Sequence, residues 1–382
     1  MNDITELTQF AWVHARAQGI QGYSDVLSRV RTDGDGPGSW VAEWSRVAAE
    51  QARAGRYLQA CQCYNMARFP YVDGSARQEA QERCVDTFDQ WRSADRLPLE
   101  PLDVDLDTGR VRCWTNGLSP GGRRPVLLIM GGIVSPKEQW AQALLALRRL
   151  GMAGIATELP GVGEHAARYT AESWRTVPAI LDAVADRADA TQAYAMAFSF
   201  GGHLALRAAV DDPRIKGVVT ASAPLSAFFT DRGWHARLPG LTSDTLAHLT
   251  GVPFAELSTQ LPSWRLTEQQ LSGLELPVHY LVSTRDEVIP PAERDYLRRN
   301  VRQLRLVEND DLHASPRHLT ATGLWAALSV LRMRRVHNPQ RTALGALWRA
   351  VRLRDRLKPP PGLPKGGDAS TDNPSPRTTR SA

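Results

Sequence analysis

The sequence predicts an α/β protein built on a mostly parallel sheet, with a helical domain before it and a helical insertion over it. Three observations carry that expectation. Short apolar runs alternate with helical patterns from about residue 102, residues 1–95 show helical spacing, and residues 224–273 suspend the alternation.

Trp40, Trp44 and Ala48 fall at i, i+4 and i+8, and after the Gly55 break Tyr57, Cys61, Tyr64 and Ala67 fall at i, i+4, i+7 and i+10. Each set lays one apolar stripe on a helix. Val104 to Leu106 and Val111 to Trp114 flank Asp107-Thr108-Gly109, a hairpin signal. Val126 to Met130 is a buried strand ending in Gly131-Gly132, Gln139 to Leu150 an amphipathic helix, and Gly154 to Thr157 a strand ending at Pro160-Gly161-Val162-Gly163. An apolar strand from Tyr194 breaks at Ser199 into a helix rich in small residues, and Val218 to Thr220 follows as the next strand. The insertion carries Phe228, Phe229, Trp234, Leu249, Phe254 and Trp264. Strands resume at Val278 to Val282 and Leu304 to Val307, before a helix from about Pro316 to Arg335.

The expected domains are a helical lid over 1–98, the core in two parts over 99–223 and 274–336, and a helical cap over 224–273. A basic helix over 337–358 and a disordered tail over 359–382, rich in Pro, Gly, Ser and Thr, complete the chain. At 382 residues the chain suits one large domain with a smaller one attached. Its 42% hydrophobic and 23% charged residues are ordinary for a soluble globular protein.

The formal net charge is +5, with Arg332, Arg334, Arg335, Arg349, Arg352, Arg354, Arg356 and Lys358 clustered late in the chain. A solvated surface is preferred to a nucleic-acid or membrane contact. The N-terminus has no secretory pattern, and no apolar stretch is long enough to span a bilayer. Cys61, Cys63, Cys84 and Cys113 give no disulfide framework, and the Cys61/Cys63 pair lacks the partners of a zinc site. The expectation is a reduced, cytoplasmic enzyme without metal or cofactor, acting on a small molecule, with a homodimer left open.

The chemistry centres on Ala197-Phe198-Ser199-Phe200-Gly201-Gly202, close to the G-x-S-x-G pattern that places a serine on a tight strand-to-helix turn, with Ala197 in place of the first glycine. A serine hydroxyl needs a histidine to take its proton and a carboxylate to orient that histidine. On such a sheet the order is Ser, acid, His, each at a strand's C-terminal end. Asp286 follows the Val278 strand and His313 the Leu304 strand. Glu287 competes with Asp286, and His318 with His313, whereas His203 belongs inside the helix behind the serine. Oxyanion donors are expected from the backbone N–H of Phe200 and from Gly132 or Ile133. Glu158 and Glu164 are read as structural partners of their turn, and Trp140, Trp234 and Trp264 as candidate walls of an apolar substrate pocket.

On Gly131-Gly132, Lys137-Glu138, Pro160-Gly161-Val162-Gly163-Glu164, Ser199-Phe200-Gly201-Gly202, Asp286 and His313, the chain resembles the α/β-hydrolases, specifically the group of 2,6-dihydropseudooxynicotine hydrolase, fungal polyketide-shortening hydrolases and FrsA-like esterases. The resemblance implies an α/β-hydrolase fold and cleavage of an ester, or of a C–C bond next to a carbonyl, in an aromatic or polyketide-like intermediate. Elimination of acetate from a tetronate-type intermediate on the same scaffold is the alternative, and a non-catalytic binding protein the third. Val134 departs from the polar residue that relatives often carry after the Gly-Gly turn.

Overall fold

The computed structural model describes residues 2–147 and 150–357. Lys358 and the tail expected over 359–382 lie outside the described residues.

Five helices come first: α1 (Ile4–Ala17), α2 (Tyr23–Arg29), α3 (Trp40–Arg53), α4 (Tyr57–Arg68) and α5 (Ser75–Ala94). The apolar stripes do what their spacing predicts. Trp40, Trp44 and Ala48 of α3 and Cys61, Tyr64 and Ala67 of α4 are all buried, and Trp40 Nε1–H donates to the Met66 carbonyl at 2.7 Å. Ser39 caps α3, its Oγ accepting from the Ala42 N–H. All four cysteines are free and buried.

The strands are β1 (Glu100–Leu106), β2 (Gly109–Asn116), β3 (Pro125–Met130), β4 (Ala153–Thr157), β5 (Asp189–Ala197), β6 (Ile215–Ala221), β7 (Val278–Ser283) and β8 (Leu304–Asn309). They form one sheet in the order β1-β2-β4-β3-β5-β6-β7-β8. The β1/β2 and β2/β4 pairs are antiparallel and the rest parallel. Burial follows the two-residue period of the pleat. Val126, Leu128 and Met130 of β3 enter the core on one face, whereas Leu127 and Ile129 enter a second core shared with the N-terminal helices. Both faces of β3 are covered, which is why its sequence is continuously apolar.

Between β3 and β4 the expected single helix from Gln139 to Leu150 is two short ones, α6 (Lys137–Ala141) and α7 (Leu144–Leu147). The chain tightens between them: Ala143 N–H donates to Trp140 O and Leu145 N–H to Gln142 O, three residues back rather than four. Then α8 (Thr176–Ala183) precedes β5 and α9 (Phe200–Asp211) follows it. Because β4 lies on one side of β3 and β5 on the other, the chain reverses direction across the sheet at the carboxyl ends of β3 and β5. Open α/β sheets form their ligand crevice at such a point.

The segment after β6 is helical, with α10 (Ala227–Thr230), α11 (Arg232–His235), α12 (Gly240–Thr250), α13 (Phe254–Gln260) and α14 (Glu268–Ser272). Its base is held by a buried carboxylate. Glu293, on α15 (Ala292–Asn300), accepts from the backbone N–H groups of Leu225, Ser226 and Phe228 at 2.9–3.1 Å. After β8, α16 (Leu319–Met333) packs under the sheet and α17 (Pro339–Leu357) packs on α16. None of the described helices is long and apolar enough to cross a membrane.

Candidate active site

Ser199 sits between β5 and α9 with φ 53° and ψ −131°, a strained backbone for a residue with a Cβ. Close packing imposes it. A Cβ on Gly201 would run into the Gly131 carbonyl, and one on Gly202 would strike Thr220 Oγ1 and approach Ala223 Cβ to 2.8 Å. These glycines let α9 start directly against β3 and β6, so the chain must turn within one residue and the hydroxyl stands at the apex. Gly202→Ala is therefore expected to cost about 1–3 kcal/mol by overpacking, measured as a lower denaturant midpoint at unchanged slope.

Opposite the serine stands His313, in the turn after β8. Its Nε2 lies 3.0 Å from Ser199 Oγ, and its Nδ1 lies 2.9 and 3.0 Å from the two carboxylate oxygens of Asp286. The carboxylate accepts, so Nδ1 carries the proton and Nε2 presents a lone pair to the serine hydroxyl. Asp286 is itself fixed, accepting from the N–H groups of Val288 and Ile289. Burial works against a charge on His313, but the Asp286 carboxylate and, further off, Glu287 outweigh it and hold the imidazole above its ordinary 6.5.

The competing residues have other partners. Glu287 accepts from the backbone N–H of His313 at 3.0 Å, so it shapes the loop rather than orienting the ring. His318 pairs with buried Asp311 at 2.8 Å, and Asp311 also takes the Arg317 N–H; α16 starts at Leu319, so His318 sits at its N-cap position rather than inside it. His203 is buried behind the serine with Nε2 2.9 Å from the Trp264 carbonyl, and burial pushes it down to about 4.

The turn after β3 lies against the serine: a Cβ on Gly132 would come within 3.0 Å of Ser199 Cβ and 3.2 Å of its Oγ. Gly132, Ile133 and Phe200 all line the cavity that holds Ser199 and His313. The backbone N–H groups of Gly132, Ile133 and Phe200 donate to no other group among the described residues, so Gly132 and Ile133 stay equal candidates beside Phe200. Free donors beside one hydroxyl are what a developing oxyanion requires.

That turn is braced from behind. Lys137 is wholly buried with Nζ 2.9 Å from Glu138, 3.3 Å from Glu158 and 2.6 Å from Glu164. Glu158 also accepts from the N–H groups of Lys137 and Glu164, and burial, partly offset by Lys137, pushes it up to about 7. Both glutamates are structural, as expected, and neither lines the cavity. From the other side buried Arg68 of α4 donates to the Val134 carbonyl. The position without a polar side chain thus meets polar chemistry through its backbone.

The cavity measures about 790 Å³. Of the three tryptophans considered for its walls, only Trp140 lines it, stacked on Phe198 with ring centroids 5.1 Å apart. Trp234 and Trp264 are corrections. The Trp234 indole turns to donate to the Val288 carbonyl at 2.8 Å, and Trp264 packs edge-on against Tyr169 beside a separate depression. The sequence reading missed α1, whose Phe10, Val13, His14 and Ala17 form one wall, and α12, which contributes Leu241, Thr242 and Thr245. In α1 the signal was a second stripe: Leu7, Ala11 and Ala15 face the helical core, and Phe10, Val13 and Ala17 lie beside them.

A family described as alpha/beta hydrolase fold matches residues 124–302. A solved structure of wild-type AbyA5 is 48% identical and superposes with a TM-score of 0.88, over 92% of this chain and 100% of that one. The chain belongs to the α/β-hydrolase family. Esterase FrsA from Photobacterium profundum is 22% identical over 261 residues, and 2,6-dihydropseudooxynicotine hydrolase from Paenarthrobacter nicotinovorans 25% identical over 272 residues. These matches cover 62% and 65% of this chain, and 62% and 72% of the two relatives, so the chain spans under two thirds of the FrsA esterase. Both relatives carry names of hydrolytic enzymes.

Proposed function

We propose that this α/β-hydrolase is serine-dependent and cleaves an ester, or a C–C bond next to a carbonyl, in a polyketide-like or aromatic natural-product intermediate. The observation that carries the reading is Ser199 Oγ 3.0 Å from His313 Nε2 at the floor of a largely apolar cavity with free N–H donors beside it. Ser199 adds to the carbonyl as His313 takes its proton, and the N–H groups of Phe200 and of Gly132 or Ile133 receive the oxyanion. His313 then protonates the leaving oxygen or carbon, and water releases the acyl group. An apolar wall with few polar groups suits a ligand that is mostly carbon. The relatives named for esterase and pseudooxynicotine chemistry support the same reaction class.

Elimination is the second reading, favoured by the enclosure of the cavity between α1, α12 and Trp140, which limits water around the serine. An activity-based fluorophosphonate tests the first reading. Stoichiometric labelling at Ser199, located by mass spectrometry, is expected; an unlabelled, folded protein would sink it. Turnover in oxygen-labelled water separates the two reactions. Hydrolysis places the label in the acid product, and direct elimination leaves the acid unlabelled.

A further inference from the structure

The cavity holds one ionisable side chain that the reaction does not use and the fold does not engage. Five ionisable residues line it: Glu6, His14, Arg237, Glu287 and His313. Glu6 accepts from the Leu241 N–H, Arg237 lies over the Trp234 ring, Glu287 takes the His313 N–H, and His313 is committed to Ser199 and Asp286. His14 is left. Among the described residues neither of its ring nitrogens makes a hydrogen bond, and its one ring contact is Phe69, with centroids 5.0 Å apart.

Its setting fixes its charge. Burial, and then the nearby positive charges of Arg68 and His313, push His14 down to about 4, so it is neutral at physiological pH. Arg68 has no carboxylate within ion-pair distance among the described residues; its guanidinium is bonded to Asn65 Oδ1 and to the carbonyls of Pro70 and Val134. A neutral imidazole offers one N–H and one lone pair. With the Arg68 cation nearby, the N–H is the stronger half, and it prefers an electron-rich oxygen. Phe10, Val13 and Ala17 lie beside it on α1, whereas Glu6 and Gln18, which also line this wall, are engaged by Leu241 and by Gln62 and Asn65, so His14 is an uncommitted donor among apolar neighbours. Such a point selects by the penalty of leaving it unpaired when the ligand lacks a matching group.

We propose that His14 is a specificity-determining residue that donates a hydrogen bond to a ketone or enol oxygen of the substrate, remote from the carbonyl attacked by Ser199. The inference rests on the hydrolase reading of the same cavity and narrows its substrate class to chains bearing a second oxygen function. The N-terminal helix thereby reads the part of the substrate that the sheet does not.

The test measures binding, so that it does not depend on turnover. Methyl nonanoate and its 3-oxo, 5-oxo and 7-oxo derivatives are titrated calorimetrically into Ser199→Ala protein, alone and combined with His14→Phe or His14→Gln. At least one oxo ester is expected to bind about tenfold tighter than methyl nonanoate, roughly the value of one hydrogen bond. The preference should vanish with His14→Phe and return in part with His14→Gln, which restores an amide donor. An unchanged preference in His14→Phe, no preference for any oxo ester, or equal weakening of all four esters would each overturn the proposal. Thermal melts of both double variants check that the wall is intact. Failure of fluorophosphonate labelling would remove the serine mechanism and leave the binding result standing.

Discussion

Ser199→Ala is expected to lower kcat by about 10^5–10^6-fold, the scale on which nucleophile loss acts in serine hydrolases, with the fold and ligand affinity retained. The size of the effect follows from the shared role of the three side chains. Without the hydroxyl, His313 has no proton to take and Asp286 orients a base with no substrate-directed partner. What would survive is the proposed oxyanion donors, Phe200 with Gly132 or Ile133, and the cavity itself, worth roughly 10^3–10^4 over water in comparable sites. Single-turnover kinetics on an activated ester, with calorimetry for affinity, separates these parts. Retained turnover in the variant would end the covalent mechanism.

Asp286→Asn is expected to cost about 10^4-fold in kcat while the backbone stays in place. The asparagine amide can donate to His313 Nδ1 and so favour the tautomer with its proton on Nε2, which cannot accept from Ser199. The pH dependence should move as well, and its sign is fixed. In the intact protein burial lowers the affinity of His313 for a proton, but Asp286 more than restores it, so the acidic limb of kcat/KM lies above the ordinary 6.5. Removing the carboxylate's charge leaves burial as the largest remaining influence, and the residual activity should titrate at lower pH. Stability runs the other way. A histidine whose proton affinity is raised by folding stabilises the native state fully below its unfolded value and loses that contribution as pH rises through the folded one. The charged pair thus favours the fold on the acid side and the reaction on the alkaline side, and an acidic limb that rises rather than falls in the variant would contradict the assignment.

The grouping of Ser199, Asp286 and His313 was legible because its signal is positional. Ser199, Asp286 and His313 follow three separate apolar runs in a fixed order, and continuous apolar runs are what strands buried on both faces must be. Gly131-Gly132 was legible for a related reason, since paired glycines after such a run mark a close approach of backbone. The cavity wall was not. A tryptophan's presence does not give its direction: Trp234 spends its indole N–H on Val288 and faces away, whereas Trp140 stacks on Phe198 and faces in. Helix α1 was equally hidden, because residues turned toward a cavity use the same side chains as residues turned toward a core. Nor did the sequence show that α6 and α7 are separate, since two turns tightened by i+3 bonds keep the apolar spacing of one helix.

The backbone at Ser199 bears on the idea of an idle hydrolase core. With φ at 53° and ψ at −131° this is a place where glycine is at ease and any residue with a Cβ is strained by roughly 1–3 kcal/mol. Stability of the fold alone would favour glycine at this position. A chain that keeps a hydroxyl at its least comfortable position is forgoing stability that lies within easy reach. That cost is what the serine-dependent reading expects of a hydroxyl held in place for chemistry rather than for the fold.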